Sequence, residues 1–225
     1  MRIMRPLVLA ACTGLALATI EPPAVPVIDV ASPIGAESTP MIDGAPILDE
    51  AHIDVVFVLD TTGSMGGLIE AAKQKIWSIA NVIATAEPRP SIRLGLVGYR
   101  DRGDDYVTVR LDLTEDLDAV YEKLMGFAAA GGGDAPESVN QALHEAITEF
   151  AWTEGDEALK LVYLVGDAPP HMDYEQDVPY VESCSKAAAS GIIINTIQCG
   201  GQAETTPIWQ EIARLAEGQY FAIEQ

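Results

Sequence analysis

The run Ile53-Asp54-Val55-Val56-Phe57-Val58-Leu59 carries one polar residue in seven and then stops abruptly at Asp60-Thr61-Thr62-Gly63-Ser64-Met65. A short, β-branched, nearly unbroken apolar stretch reads as a buried strand, and the glycines after it let the backbone turn before a helical pattern resumes at Leu68. Asp60, Thr62 and Ser64 then stand at the strand's tip with the spacing Asp-x-Ser/Thr-x-Ser. One carboxylate with two hydroxyls is hard-oxygen chemistry, suited to magnesium, manganese or calcium and poor in the soft or nitrogen ligands that zinc and copper prefer.

Downstream, strand and helix patterns alternate, which predicts an α/β domain with helices on both faces of a largely parallel sheet. Leu68, Ala72, Ile76, Ile79, Ala80 and Ile83 form a helical stripe whose run ends at Pro88 and Pro90, and residues 92–98 read as a strand. Residues 106–111 lie too close to Gly98 for a helical crossover, so they are expected to pair antiparallel. Helices follow around Leu117, Val120 and Leu124, and around Val139 to Phe150. After a strand ending at Asp167 come a helix near 178–190, a strand at 192–198, a helix at 208–216 and a short strand at 219–223. In a doubly wound sheet the carboxyl ends of parallel strands share one edge, and ligands bind where the connections diverge. Asp60 and Asp167 follow two such ends. Asp134 joins them if the preceding helix climbs back to the same edge.

Two further stretches resemble the loops of one known family. Gly131-Gly132-Gly133-Asp134-Ala135-Pro136-Glu137 opens a helix, and an apolar strand runs into Gly166-Asp167-Ala168-Pro169-Pro170-His171. With the Asp60 loop, Gly98-Tyr99-Arg100-Asp101 and the tail at 191–200, the pattern over residues 51–225 resembles the von Willebrand factor A family. That resemblance implies a Rossmann-like, doubly wound, mostly parallel sheet with one antiparallel edge strand. It also implies a metal-ion-dependent adhesion site. Its expected ligands are Thr62 and Ser64 directly, Asp60 and Asp167 directly or through water, and Asp134 where the family usually has a threonine. Asp101, Glu137 and His171 are expected to support the ligands or line the rim, with an ion pair from Asp101 to Arg100 or Arg102 as the competing role for Asp101. The cofactor implied is Mg2+, or Mn2+ or Ca2+, with one coordination position left for a carboxylate of a protein partner.

Other readings of the same residues stay open. Asp60 and Ser64 also suit an ordinary strand-to-helix turn, as acceptor and cap. An aspartyl phosphotransferase or phosphatase of the haloacid-dehalogenase type would use Asp60 as nucleophile with magnesium. Against it, the nearest lysine, Lys160, lies at the wrong end of its strand. No Ser-His-Asp arrangement is legible, so a non-enzymatic binding module is expected.

A formal charge of −21 in 225 residues excludes nucleic acid and anionic membrane surfaces as natural partners and favours cations, although solubility alone also accounts for an acidic surface. Met1-Arg2-Ile3-Met4-Arg5 followed by a short apolar run reads as an export signal over residues 1–18 of a bacterial envelope protein. Leu9-Ala10-Ala11-Cys12 resembles a lipobox that would acylate Cys12 and supply a lipid anchor, whereas Ala16-Leu17-Ala18 offers ordinary cleavage. Residues 19–50, with scattered prolines, read as a flexible tether before the domain at 51–225. The expected location is the periplasm or the outer-membrane or cell surface. Cys184 and Cys199 could approach one another or stay as separate buried thiols, Trp77, Trp152 and Trp209 read as core or near-core, and His144 is expected on the exposed side of its helix.

Overall fold

The computed structural model describes residues 51–155 and 157–223; the segments expected as export leader and tether, and Cys12 with them, lie outside the described residues. Six strands form one sheet in the order β3-β2-β1-β4-β5-β6. They are β1 (His52–Asp60), β2 (Ser91–Tyr99), β3 (Thr108–Thr114), β4 (Ala158–Gly166), β5 (Ile192–Cys199) and β6 (Tyr220–Ile223). A 3-10 turn over Gly63–Gly67 leads into α1 (Ile69–Ala84); α2 (Leu117–Gly126), α3 (Val139–Thr148), α4 (Tyr180–Ala189) and α5 (Thr205–Leu215) complete the set. Every neighbouring pair is parallel except β2 with β3, so the antiparallel expectation for the edge strand holds, with its span shifted from 106–111 to Thr108–Thr114.

The opening run reads as it does because β1 is flanked by strands on both sides and covered on both faces. Val56 and Val58 join a core with Val139, Leu143 and Ala146 of α3, Cys184 and Ala187 of α4, and Trp209 and Ile212 of α5. Val55, Phe57 and Leu59 are equally buried and, by the two-residue period, face the opposite layer, where α1 and α2 pack on β2. Phe57 stacks on Tyr163 of β4 at 5.4 Å. Each such side chain contributes roughly 1.5–3 kcal/mol when fully buried, so this central pair of strands anchors the domain. In β2, a side chain at Gly95 would strike Phe150 and one at Gly98 would strike Phe127, each at 2.6 Å; the two glycines admit a ring from either face.

One charged residue interrupts β1, and the structure gives it a partner in register. Asp54 pairs with Arg93 across β1 and β2, accepting bonds from Nε at 2.9 Å and Nη2 at 2.7 Å, and Asp54 also accepts the Thr153 backbone N–H at 2.8 Å. Burial opposes ionisation of Asp54, yet the Arg93 and Thr153 hydrogen bonds outweigh it and hold its carboxyl below the usual range.

The tertiary fold settles one open side-chain reading and corrects another expectation. Cys184 and Cys199 are both free and buried: Cys184 packs in the helical layer with its Sγ 3.8 Å from the Ile212 carbonyl, while Cys199 ends β5. Burial first, and then the charge of Glu211, pushes the Cys184 thiol up to about 12. His144 is half-buried rather than exposed, its Nδ1 3.5 Å from the Ser183 hydroxyl, because α4 packs along α3. Trp209 is wholly buried, whereas Trp77 and Trp152 are half-buried beside the core. Among the described residues no helix is long and apolar enough to cross a membrane.

Candidate functional site

β1 neighbours β2 on one side and β4 on the other, so the connections leaving β1 and β4 diverge at their carboxyl ends. Three loops meet there because their backbones are laced together. Gly63 N–H donates to the Gly131 carbonyl at 3.0 Å and Ala130 N–H to Thr61 at 3.0 Å, joining the first loop to the second. Glu137 N–H donates to Pro169 at 2.9 Å and His171 N–H to Glu137 at 3.0 Å, joining the second to the third. Arg100, almost wholly buried, spans the gap: its Nε donates to Thr61 O at 3.2 Å and its Nη2 to Ala128 O at 3.1 Å.

Within this frame the Asp60 pocket is a chain of oxygens. Asp60 Oδ1 accepts the Thr62 hydroxyl at 2.6 Å and the Thr62 N–H at 2.8 Å. Ser64 Oγ lies 3.0 Å from Thr62 Oγ1 and donates to Asp167 Oδ1 at 3.0 Å. The Thr62 N–H bond is the turn that an ordinary strand-to-helix junction would make. Ser64 makes no cap; its hydroxyl crosses to the third loop instead. With the Thr62 proton spent on Asp60 and the Ser64 proton on Asp167, none remains for the Thr62–Ser64 contact. Gly166 permits the approach of the two strand tips, since a side chain there would sit 2.7 Å from Asp60 Cβ.

The electrostatics are those of carboxyl groups crowded into a buried space. Asp60 is fully buried and its Oδ2 has no hydrogen-bond partner, as is true of Oε2 of the buried Glu137. Burial, assisted by the charge of Asp167 and opposed by Thr62, pushes Asp60 up to about 7. Burial, assisted by the charges of Asp60 and Asp101 and opposed by a Thr62 hydrogen bond, pushes Glu137 up to about 9. Asp167 is raised by burial, with the Ser64 bond opposing. Orphaned buried carboxylate oxygens beside two hydroxyls are a donor set that fits a hard divalent cation.

The second loop divides its residues. Glu137, expected at the rim, is the one whose charge couples to Asp60 and which shares Thr62. Asp134, expected among the Asp60 ligands, is exposed and groups with Asp101 and His171, the ligand atoms of all three lying within 4.8 Å of one another. His171 Nε2 is 3.4 Å from Asp101 Oδ2 and 3.7 Å from Asp134 Oδ1. Asp101 forms no ion pair with either neighbouring arginine. Arg100 reaches Asp105 at 3.5 Å and Arg102 reaches Asp177, while Asp101 accepts the Ser138 hydroxyl at 3.0 Å and the Tyr174 hydroxyl at 2.9 Å. Ser138, Asp173 and Tyr174 carry no motif, and nothing in their spacing announces them.

Gly131 and Gly132 both adopt left-handed backbone, φ +74° and +75°, to bring this loop against the first. In Gly132→Ala the new Cβ would lie 3.1 Å from Glu137 Oε1 and 3.4 Å from Thr62 Cβ. The substitution is expected to cost roughly 1–2 kcal/mol through the backbone alone. Thermal unfolding checks this, and an unchanged midpoint would mean that the loop tolerates the strain.

A hollow of about 400 Å³ sits at the opposite edge, lined by Trp152, Thr153, Lys160 and Ile192. Lys160 Nζ donates to the Ser190 carbonyl at 2.9 Å there, far from the Asp60 tip. It contributes nothing to the carboxylate chemistry.

A family model described as von Willebrand factor A domain matches residues 54–225. An ariadne-like RING finger protein of Acanthamoeba polyphaga mimivirus is 23% identical over 192 residues, covering 78% of this chain and 19% of that protein. The von Willebrand factor A domain-containing protein 7 of Rattus norvegicus is 40% identical over 91 residues, covering 40% of this chain and 10% of that protein. This chain thus spans about a fifth or less of the curated relatives it matches. Among solved structures, the SpRpn10 VWA domain aligns with a TM-score of 0.59 at 14% identity, over 76% of this chain and 88% of that one. Proximal thread matrix protein 1 of the mussel byssus, with a zinc-occupied MIDAS motif, aligns with a TM-score of 0.61 at 17% identity, over 77% of this chain and 42% of that one. The fold, the strand-tip oxygens and the match over residues 54–225 lead to one conclusion: the chain belongs to the von Willebrand factor A domain family.

Proposed function

We propose that this protein is a divalent-cation-dependent, non-enzymatic protein-binding module, exported and tethered at the bacterial cell envelope. The observation that carries the reading is the pair of buried, unpartnered carboxylate oxygens of Asp60 and Glu137 beside the Thr62 and Ser64 hydroxyls. Asp60, Thr62, Ser64 and Asp167 would hold the cation, and Glu137 would face it from the second loop. When bound, the ion supplies an electrophilic anchor for a partner's carboxylate. The protein residues hold that anchor at an exposed edge and turn nothing over. Magnesium or manganese suits an oxygen-only set. The zinc in the mussel protein's motif supports the wider idea that loops of this family hold divalent ions.

The test uses the full chain against an array of peptides bearing exposed aspartate and glutamate. Binding is expected with magnesium or manganese present and lost on chelation. Binding that ignores chelator but fades with salt would replace this reading with charge attraction to the acidic surface. Hydrolysis of an activated phosphate ester with label trapped on Asp60 would replace it with the phosphotransferase reading.

A further inference from the structure

We propose a second cation site beside the Asp60 pocket, formed by Asp101, Asp134 and His171 and selective for a zinc-like ion over magnesium. The cluster is more than a patch of acid. His171 is 5% exposed, its Nε2 makes no hydrogen bond, and that atom points between the two carboxylates at 3.4 and 3.7 Å. Two ligands bound tetrahedrally to one zinc at about 2.0–2.1 Å stand about 3.3 Å apart, so the two His171 separations are near that value, while the three ligand atoms together lie within 4.8 Å of one another.

The residues behind the cluster orient it as metal ligands are oriented. His171 Nδ1 lies 2.8 Å from Asp173 Oδ1. A carboxylate there accepts the Nδ1 proton and leaves the Nε2 lone pair facing Asp101 and Asp134, the carboxylate–histidine–metal pattern. The ring is fixed by stacking on Tyr174 at 4.1 Å, and its backbone carbonyl accepts Asn140 Nδ2 at 2.7 Å. Asp101 is held by Ser138 and by both bonds from Tyr174, at 2.9 and 3.1 Å. Asp134 is the exposed member, 67% exposed at its side chain, and opens the site to solvent.

One imidazole and two carboxylates form a nitrogen–oxygen set for a borderline ion, unlike the all-oxygen Asp60 pocket. Three protein ligands leave a fourth position for water or a partner group. The competing state is an imidazolium bridging the carboxylates with no metal at all.

The experiment titrates cobalt(II), a visible reporter for zinc, into the full chain in excess magnesium, alongside Asp60→Asn, His171→Phe and Asp173→Asn. Phenylalanine keeps the stack on Tyr174 and removes both nitrogens. The wild type and Asp60→Asn are expected to develop the same saturating visible band. His171→Phe is expected to lose it, and Asp173→Asn to need roughly 10–100-fold more cobalt. No band in either the wild type or Asp60→Asn overturns the proposal, as does a band that His171→Phe leaves intact. X-ray absorption of zinc-loaded Asp60→Asn gives a check that needs no His171 variant: one imidazole scatterer near 2.0 Å supports the site, and an all-oxygen shell overturns it. Because Asp60→Asn removes the other pocket, the two sites fail or stand independently.

Discussion

Asp60→Asn is expected to abolish stabilisation by magnesium and at the same time to raise the melting temperature of the cation-free protein. A cation at a hundredfold excess over its Kd stabilises the chain by about 2.7 kcal/mol, which for a domain this size is roughly 5–10 °C. Asparagine keeps the shape and the Thr62 contacts but removes the buried charge that binds the ion. The same change removes a liability of the cation-free state, where a fully buried carboxylate is desolvated beside Asp167 and Glu137. Differential scanning calorimetry with and without magnesium reads both effects. A magnesium-induced shift that survives in Asp60→Asn would remove the Asp60 pocket from the account.

The pH dependence has a definite sign. Asp60 is raised from 3.8 to about 7 and Glu137 from 4.5 to about 9, so between these limits the folded, cation-free chain keeps protons that the unfolded chain has released. The contribution of these two groups is therefore greatest below about pH 4 and is lost as pH rises toward 9. Saturating magnesium is expected to flatten this slope, because the ion takes over from the protons.

Arg93→Met is expected to destabilise the domain by about 3–5 kcal/mol, because it strands the Asp54 carboxylate inside the sheet with Thr153 as its remaining hydrogen-bond partner. The double variant with Asp54→Val is expected to recover most of that loss, since an apolar pair in register restores the character of the surrounding strand. Urea denaturation of the three proteins checks the prediction. A loss below about 1 kcal/mol in the single variant would place the pair with ordinary surface ion pairs. The pH sign here is opposite to that of the Asp60 pocket. Asp54 is held below its usual range, so its contribution is present above about pH 4 and lost as pH falls through its folded value.

The architecture was legible in the sequence where the evidence was local. Ile53 to Leu59 reads as a buried strand, and the close spacing of Gly98 to the next strand points to the antiparallel edge that the sheet has. The strand-tip residues Asp60, Thr62, Ser64 and Asp167 follow from where apolar runs end, and the structure links them through 2.6–3.0 Å contacts. The second loop was harder. Asp134 and Glu137 are three residues apart, and no periodicity says which carboxylate turns toward Asp60.

What decided it is the bridge of Glu137 to the third loop, through its N–H on Pro169 and its carbonyl on the His171 N–H. Those bonds bury Glu137 beside Thr62 and leave Asp134 outside with Asp101 and His171. The cysteines illustrate the same limit: each lies in an element that the sequence predicts, but the layer each one faces depends on how α4 and α5 pack. The sequence by itself determined the order of strands and helices and the oxygen-bearing residues at two strand tips, because hydrophobic period and turn chemistry act over a few residues. Only the tertiary structure decided which carboxylates share a pocket and which stand around His171, because those neighbours are set by hydrogen bonds between loops far apart along the chain.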